Sequence, residues 1–143
     1  MNTTFAEVDG WFLNKIKSYE LLMFTDVDKN EILHGYMRFA CAEFTCCDVD
    51  LSDRNDDDGE FNNELSDEIL NIISEGMVIA WLKPKLNNEE NLYNALSTQD
   101  YKYYSPANLL EKISNTYEMA NKRFKKMKSN YSFNHGKLPK RGV

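Results

Sequence analysis

The sequence predicts an all-α protein with about five helices in a compact bundle, followed by an extended C-terminal arm. The 143 residues are 42% hydrophobic, which suffices for one folded domain with its own core. Apolar residues recur at helical spacing over most of the chain, and turn and cap signals separate the periodic segments. Residues 129–143 lack such a period and contain two glycines and a proline. We therefore divide the chain into a helical domain, 1–128, and an extended basic arm, 129–143.

The first two helices are predicted on either side of an acidic turn. Apolar side chains recur from Trp11 to Met23 at the spacing of one helix face. Asp28 and Glu31 then have the spacing of a capping box, with aspartate in place of serine or threonine. Because the residues behind this cap repeat on one face, we predict a second helix over about 29–46.

Acidic residues dominate the segment 48–64, in which Arg54 is the only base. A segment with so much like charge is expected to be a solvated loop that packs against nothing. The residues that we expect to form an acidic surface there are Asp53, Asp56, Asp57, Asp58 and Glu60.

The third helix is predicted to be central. Ser66 is a suitable N-cap, and the residues that follow it are apolar nearly all round, as in a helix that is buried on every side. Gly76 within it is expected to permit close packing, and Pro84 is expected to end it.

Two further helices complete the bundle. A short one is predicted over about 88–96, followed by a polar and aromatic connector over 97–104. Ser105 and Pro106 then give a strong start signal for a long amphipathic helix. Its last turns carry a basic face that consists of Lys122, Arg123, Lys125, Lys126 and Lys128. The predicted core of the bundle is Trp11, Phe12, Ile16, Leu33, Tyr36, Ala40, Phe44, Ile69, Ile72, Ile73, Ile79, Leu110, Ile113, Tyr117 and Phe124.

Charge is divided unequally along the chain. Residues 1–100 carry 7 basic and 21 acidic side chains, a balance of −14, whereas residues 101–143 carry 10 basic and 2 acidic ones, a balance of +8. Such asymmetry is typical of an interaction surface, and opposed surfaces allow copies of one chain to pair. The arm side chains predicted to contact a partner are Tyr131, Phe133, His135, Leu138, Lys140, Arg141 and Val143.

Several kinds of chemistry lack support in the sequence. The acidic segments fail as EF-hand loops. With Gly59 at the sixth position, Arg54 and Leu65 occupy the first and twelfth. The segment from Asp26 has Glu31 in place of the glycine and Met37 in place of the bidentate glutamate. Loose cation binding by the acidic loop stays open. The three cysteines are an odd number and lack zinc-ligand spacing, so we expect small core residues rather than a disulfide framework or a metal site. We expect no cofactor, no enzymatic activity and no membrane span or signal peptide.

Nucleic-acid binding is the main alternative to protein assembly. The basic face, with Phe124 among its cations, and the basic arm could contact phosphates, and Tyr101, Tyr103 and Tyr104 could stack on bases. The net charge of −6 argues against this alternative without excluding it.

The organisation resembles the head-tail connector proteins of tailed bacteriophages, also called neck, adaptor or head-completion proteins. The stretch from Tyr19 to Phe44, with its acidic turn, looks like the opening helix pair of that family, and the last helix with its arm is similar to the projecting C-terminal segment of several members. The acidic loop 48–64 departs from the family layout.

The resemblance implies a structural virion protein at the neck, made in the cytoplasm of the bacterial host. It implies a ring, commonly of twelve copies, that binds the portal protein and tail or further neck proteins. Genome DNA would then pass through the lumen of the ring without sequence-specific binding.

Overall fold

Helices dominate the architecture of the protein in a computed structural model, as the sequence predicts. The structure describes residues 2–16, 26–87 and 106–135. The elements are α1 (Phe5–Lys15), α2 (Asp26–Glu43), β1 (Arg54–Asn55), β2 (Glu60–Phe61), α3 (Asp67–Asn87) and α4 (Pro106–Asn134). The predicted helix over 88–96 and the connector over 97–104 lie outside the described residues.

Helix α3 is the central element, because α1, α2 and α4 all pack against it. Its residues from Ile72 to Ile79 are buried without interruption. The predicted N-cap is confirmed, since the Ile69 amide donates a hydrogen bond of 3.3 Å to Oγ of Ser66. The predicted end at Pro84 is wrong, because α3 continues to Asn87. An internal proline removes one backbone hydrogen bond and crowds the carbonyl four residues before it, but the helix continues through Pro84.

Gly76 is a point where α3 closely approaches both α2 and α4. A Cβ atom at this position would lie 2.7 Å from Cβ of Ala40 on α2 and 2.9 Å from Cζ of Phe124 on α4. Only glycine permits both contacts, so the expected close packing is confirmed.

Helix α2 is displaced from its predicted span of 29–46. It starts at Asp26 and ends at Glu43, so the predicted cap residue Asp28 lies within the helix. The buried side chains of Leu33, Met37 and Ala40 face the core at the expected helical spacing.

The acidic segment 48–64 is folded onto the body, which corrects the prediction of a loop that packs against nothing. Strands β1 and β2 pair antiparallel around a turn in which Gly59 has φ of 71°. Leu51 and Phe61 are buried, and the Phe61 amide donates a hydrogen bond of 2.8 Å to the Thr3 carbonyl. The backbone before α1 thus extends the hairpin and fixes it to the bundle. The burial of Leu51 and Phe61 outweighs the repulsion among the acidic side chains of the segment.

The C-terminal end of α4 corrects the predicted start of the arm. The helix continues from Pro106 to Asn134, so residues 129–134 are helical and not extended. Tyr131 is only 1% exposed and packs on Phe44 with ring centroids 5.1 Å apart. This packing of Tyr131 on Phe44 holds residues 129–134 in the helix. Residues 136–143 lie outside the described residues.

Most of the predicted core is buried. Three members, Trp11, Tyr36 and Tyr117, are half-buried, and Leu110 lies outside the described side chains. The buried members are Phe12, Ile16, Leu33, Ala40, Phe44, Ile69, Ile72, Ile73, Ile79, Ile113 and Phe124. None of the helices in the described part of the chain is both long enough and apolar enough to cross a membrane.

Candidate functional site

The basic face of α4 is partly engaged by the protein itself. Nε of Arg123 lies 3.2 Å from Oε2 of Glu75, a carboxylate on α3 that is only 5% exposed. Nζ of Lys128 donates a hydrogen bond of 3.2 Å to the carbonyl of Glu43 at the end of α2, and it lies 4.2 Å from the centre of the Phe124 ring. A cation at this helix end offsets the partial negative charge of the last carbonyls. Arg123 and Lys128 therefore stabilise helix packing.

The other three lysines of the basic face, Lys122, Lys125 and Lys126, are exposed. Two of them share one side of α4 with the two large apolar side chains that are exposed in the described part of the chain, Met119 at 58% and Phe133 at 74%. Positions 119, 122, 126 and 133 fall within about 60° around a helix of 3.6 residues per turn. We call these four residues the outer stripe of α4. It combines two apolar side chains with two cations.

The predicted arm residues separate into three groups. Tyr131 is turned into the body, where its hydroxyl accepts a hydrogen bond of 3.2 Å from the Asp48 amide. His135 also binds its own chain: its ring stacks on Tyr131 at 4.0 Å, Nδ1 lies 3.2 Å from Asp48, and Nε2 lies 3.0 Å from Glu68. These two residues fasten α4 to the body. Tyr131 is buried and has no surface for the predicted partner contact, whereas for the exposed His135 that contact stays a prediction. Phe133 is exposed. The others, Leu138, Lys140, Arg141 and Val143, lie outside the described residues.

The acidic hairpin presents its carboxylates to solvent, while its own amides hold them in place. Asp53 accepts a hydrogen bond of 2.7 Å from Nδ2 of Asn62, and Asp58 accepts one of 2.7 Å from Nδ2 of Asn55. The exposed members of the predicted acidic surface are Asp53, Asp56, Asp57 and Asp58, and Glu60 is half-buried. The hairpin and its hydrogen bonds therefore hold the predicted acidic surface in one conformation.

An acidic hollow of about 480 Å³ lies where α1, α2 and the hairpin meet. Its charged and titratable lining is Asp9, Glu31, His34 and Asp56, and its apolar lining includes Phe5 and Met37. Asp56 lies 3.3 Å from Nε of Arg54 and 3.8 Å from Nε2 of His34, so part of its charge is balanced within the chain. Sequence reasoning missed this hollow, because its carboxylates come from three separated segments.

The described residues contain no group of three or more histidine, cysteine or acidic side chains that could hold a metal ion. The three cysteines are free thiols. Burial raises the pKa of Cys41 to about 12, so its thiol is protonated at neutral pH and is a poor nucleophile. Cys46 and Cys47 are half-buried against α4, where Sγ of Cys46 lies 3.5 Å from the Lys128 carbonyl. The expectation that the cysteines serve packing agrees with these contacts.

Neither the protein-family models nor the curated proteins nor the solved structures contain a match to this chain. The geometry of the site therefore carries the functional argument. One chain presents a cationic and apolar stripe on α4 and carboxylates on a hairpin fixed to α1. Surfaces of these two kinds are complementary to each other, which is the property that binding between copies requires.

Proposed function

We propose that this chain is a structural assembly protein that binds further copies of itself, and that it serves as a head-tail connector in the neck of a tailed bacteriophage. The observation that carries the proposal is the outer stripe of α4, where Met119 and Phe133 are exposed on either side of Lys122 and Lys126. Exposed apolar side chains of this size, with charge around them, are typical of a protein interface.

The opposed charges favour a head-to-tail contact. In such a contact the stripe of one copy meets a different, acidic surface of the next, and the contact closes into a ring when its rotation permits. The acidic hairpin supplies the second surface. The connector role adds the portal protein, tail or further neck proteins and the passing DNA as partners, and it rests on the family resemblance of the sequence layout. The copy number commonly found in that family is twelve.

Native mass spectrometry of the full chain tests the proposal, alone and mixed with the portal protein of the same phage. We expect oligomers that grow with concentration, and a complex with portal protein. Lys126→Glu should weaken association about tenfold or more, because it places like charges against each other in the interface. The matched control is Lys83→Glu, which makes the same change at an exposed position on α3. A chain that stays monomeric at every concentration, with and without portal protein, would overturn the proposal.

A nucleic-acid-binding function is the second candidate, because Lys122, Lys125 and Lys126 are exposed within two turns of α4 and Phe133 offers an aromatic ring nearby. It predicts binding of single-stranded DNA that weakens steeply with salt and is lost when the three lysines become alanine. Lys83→Ala is the control. Filter binding at low salt that retains no DNA would remove this candidate.

A further inference from the structure

The acidic hollow has the features of a binding site for a cationic peptide. Three carboxylates, Asp9, Glu31 and Asp56, line it together with apolar side chains, and it is large enough for several side chains. Asp56 is also paired with Arg54, so Glu31 is the main carboxylate expected to receive a cation. Glu31 and Asp56 are exposed at its edge. A lysine or arginine that enters such a hollow places its charge beside the carboxylates and its aliphatic stem on the apolar lining.

The C-terminal segment 136–143 of the chain has the matching chemistry. Its sequence carries three cations and one large aliphatic residue within five positions, from Lys137 to Arg141. Pro139 restricts its own backbone and favours an extended conformation at Leu138. In an extended segment, side chains two positions apart lie on the same side of the chain. Leu138 and Lys140 could therefore enter one hollow together.

We propose that the acidic hollow of one copy binds the segment 136–143 of a second copy. This inference rests on the proposed self-association and identifies one of its contacts. His135, the residue that precedes the segment, fastens the end of α4 to Asp48 and Glu68. Eight extended residues span at most about 27 Å, which is enough to cross a subunit boundary. Charge attraction brings the segment to the hollow, and the apolar lining retains Leu138.

The decisive experiment mixes two full-length variants. A receiver-deficient variant carries Glu31→Lys, which leaves the acidic hairpin unchanged, and a donor-deficient variant carries Lys140→Glu and Arg141→Glu. Each alone should associate about tenfold more weakly than the natural chain, because like charges then face each other. The equimolar mixture should associate more strongly than either variant alone, since the intact segment of one variant can then bind the intact hollow of the other. Glu64→Lys with Glu118→Lys is the control for charge reversal at exposed positions. Circular dichroism verifies that every variant is folded.

A second measurement separates this inference from the proposed function. A labelled peptide with the sequence of residues 136–143 should bind the donor-deficient chain, and Glu31→Lys added to that chain should weaken its binding about tenfold or more. A natural chain that associates while the peptide fails to bind would overturn the inference and leave the proposed function standing. Peptide binding without restored pairing in the mixture would show that each segment occupies the hollow of its own chain, which would also overturn it.

Discussion

Arg123 on α4 and Glu75 on α3 form an ion pair of 3.2 Å in which the carboxylate is almost wholly buried. The other oxygen of Glu75 lies 3.2 Å from Nζ of Lys15 on α1. One buried carboxylate on α3 therefore links the first, third and fourth helices. A buried carboxylate is costly unless it is paired, and here the two partners arrive from different helices. The pair fixes how α1 and α4 lie on α3.

Replacement of Glu75 by glutamine should destabilise the fold by about 1–3 kcal/mol, since the amide keeps the shape but leaves two cations without a countercharge. Lys15 and Arg123 are partly exposed, with side chains 24% and 51% accessible, so water limits the loss. Urea unfolding measures the change. Glu118→Gln on the exposed side of α4 is the matched control and should stay within about 0.5 kcal/mol of the natural chain. Equal unfolding midpoints for the two variants would contradict a central role for Glu75.

Gly76→Ala should destabilise the protein by about 1–3 kcal/mol, although alanine favours helices, because its Cβ would lie 2.7 Å from Cβ of Ala40 and 3.1 Å from the Ala40 Cα atom. Gly35→Ala is the matched control, since a Cβ at this helical position meets open space. It should stabilise the protein by about 0.5–1 kcal/mol. The two variants should therefore change the free energy of unfolding in opposite directions, which one series of chemical denaturation measurements can show. A stabilising Gly76→Ala would mean that α2 and α4 do not approach at this position.

Stability should fall as the pH rises above about 9. Burial raises the pKa of the Cys41 thiol to about 12 and that of the Tyr131 phenol to about 12. In the unfolded chain both groups lose their protons earlier, at about 8.5 and about 10. Because the folded state holds these protons more tightly, its advantage is complete below the ordinary pKa values and is lost as the pH approaches 12. Urea midpoints measured across this range test the slope, which should be shallower in Cys41→Ala. An identical slope in that variant would argue against a buried, protonated thiol.

Local sequence signals predicted the features that depend on neighbours along the chain. Ser66 caps α3, Pro106 opens α4 and Gly76 permits close packing, and each follows from the requirements of a helix end or a small side chain. The helix boundaries that depend on tertiary contacts were wrong. The end of α4 is rich in serine and asparagine, which favour helices weakly, and the burial of Tyr131 against Phe44 outweighs that preference.

The hairpin and the hollow needed the three-dimensional structure. Leu51 and Phe61 are separated by charged residues, so no period in the sequence distinguishes them as anchors. The hairpin strands have two residues each, too few for an alternating pattern. The hollow joins Asp9, Glu31 and Asp56 from three separate segments, and only the folding of the hairpin onto α1 brings them to one place.

Hairpin docking should depend on Phe61 more than on the charges around it. Phe61 is 1% exposed and meets Phe5 edge-to-face at 5.3 Å, so Phe61→Ala should cost about 3–5 kcal/mol. Asp57→Ala, at an exposed position of the same hairpin, is the control and should stay within about 0.5 kcal/mol of the natural chain. Thermal unfolding followed by circular dichroism compares the two. If Phe61→Ala unfolds at the temperature of the control, the hairpin is not part of the cooperative fold.

Truncation should separate the part of the C-terminus that stabilises the fold from the part that binds a partner. A chain that ends at Lys128 loses the buried Tyr131 ring and the contacts of His135, and we expect a loss of about 3–5 kcal/mol in the free energy of unfolding. A chain that ends at His135 retains both and should unfold within about 0.5 kcal/mol of the full chain while associating more weakly. Urea unfolding and sedimentation velocity of the three chains provide the comparison. Tyr131→Ala in the full chain is the control, because it should reproduce most of the stability loss with the segment 136–143 intact. Equal stability of the full chain and the chain ending at Lys128 would contradict the docking of α4 through Tyr131.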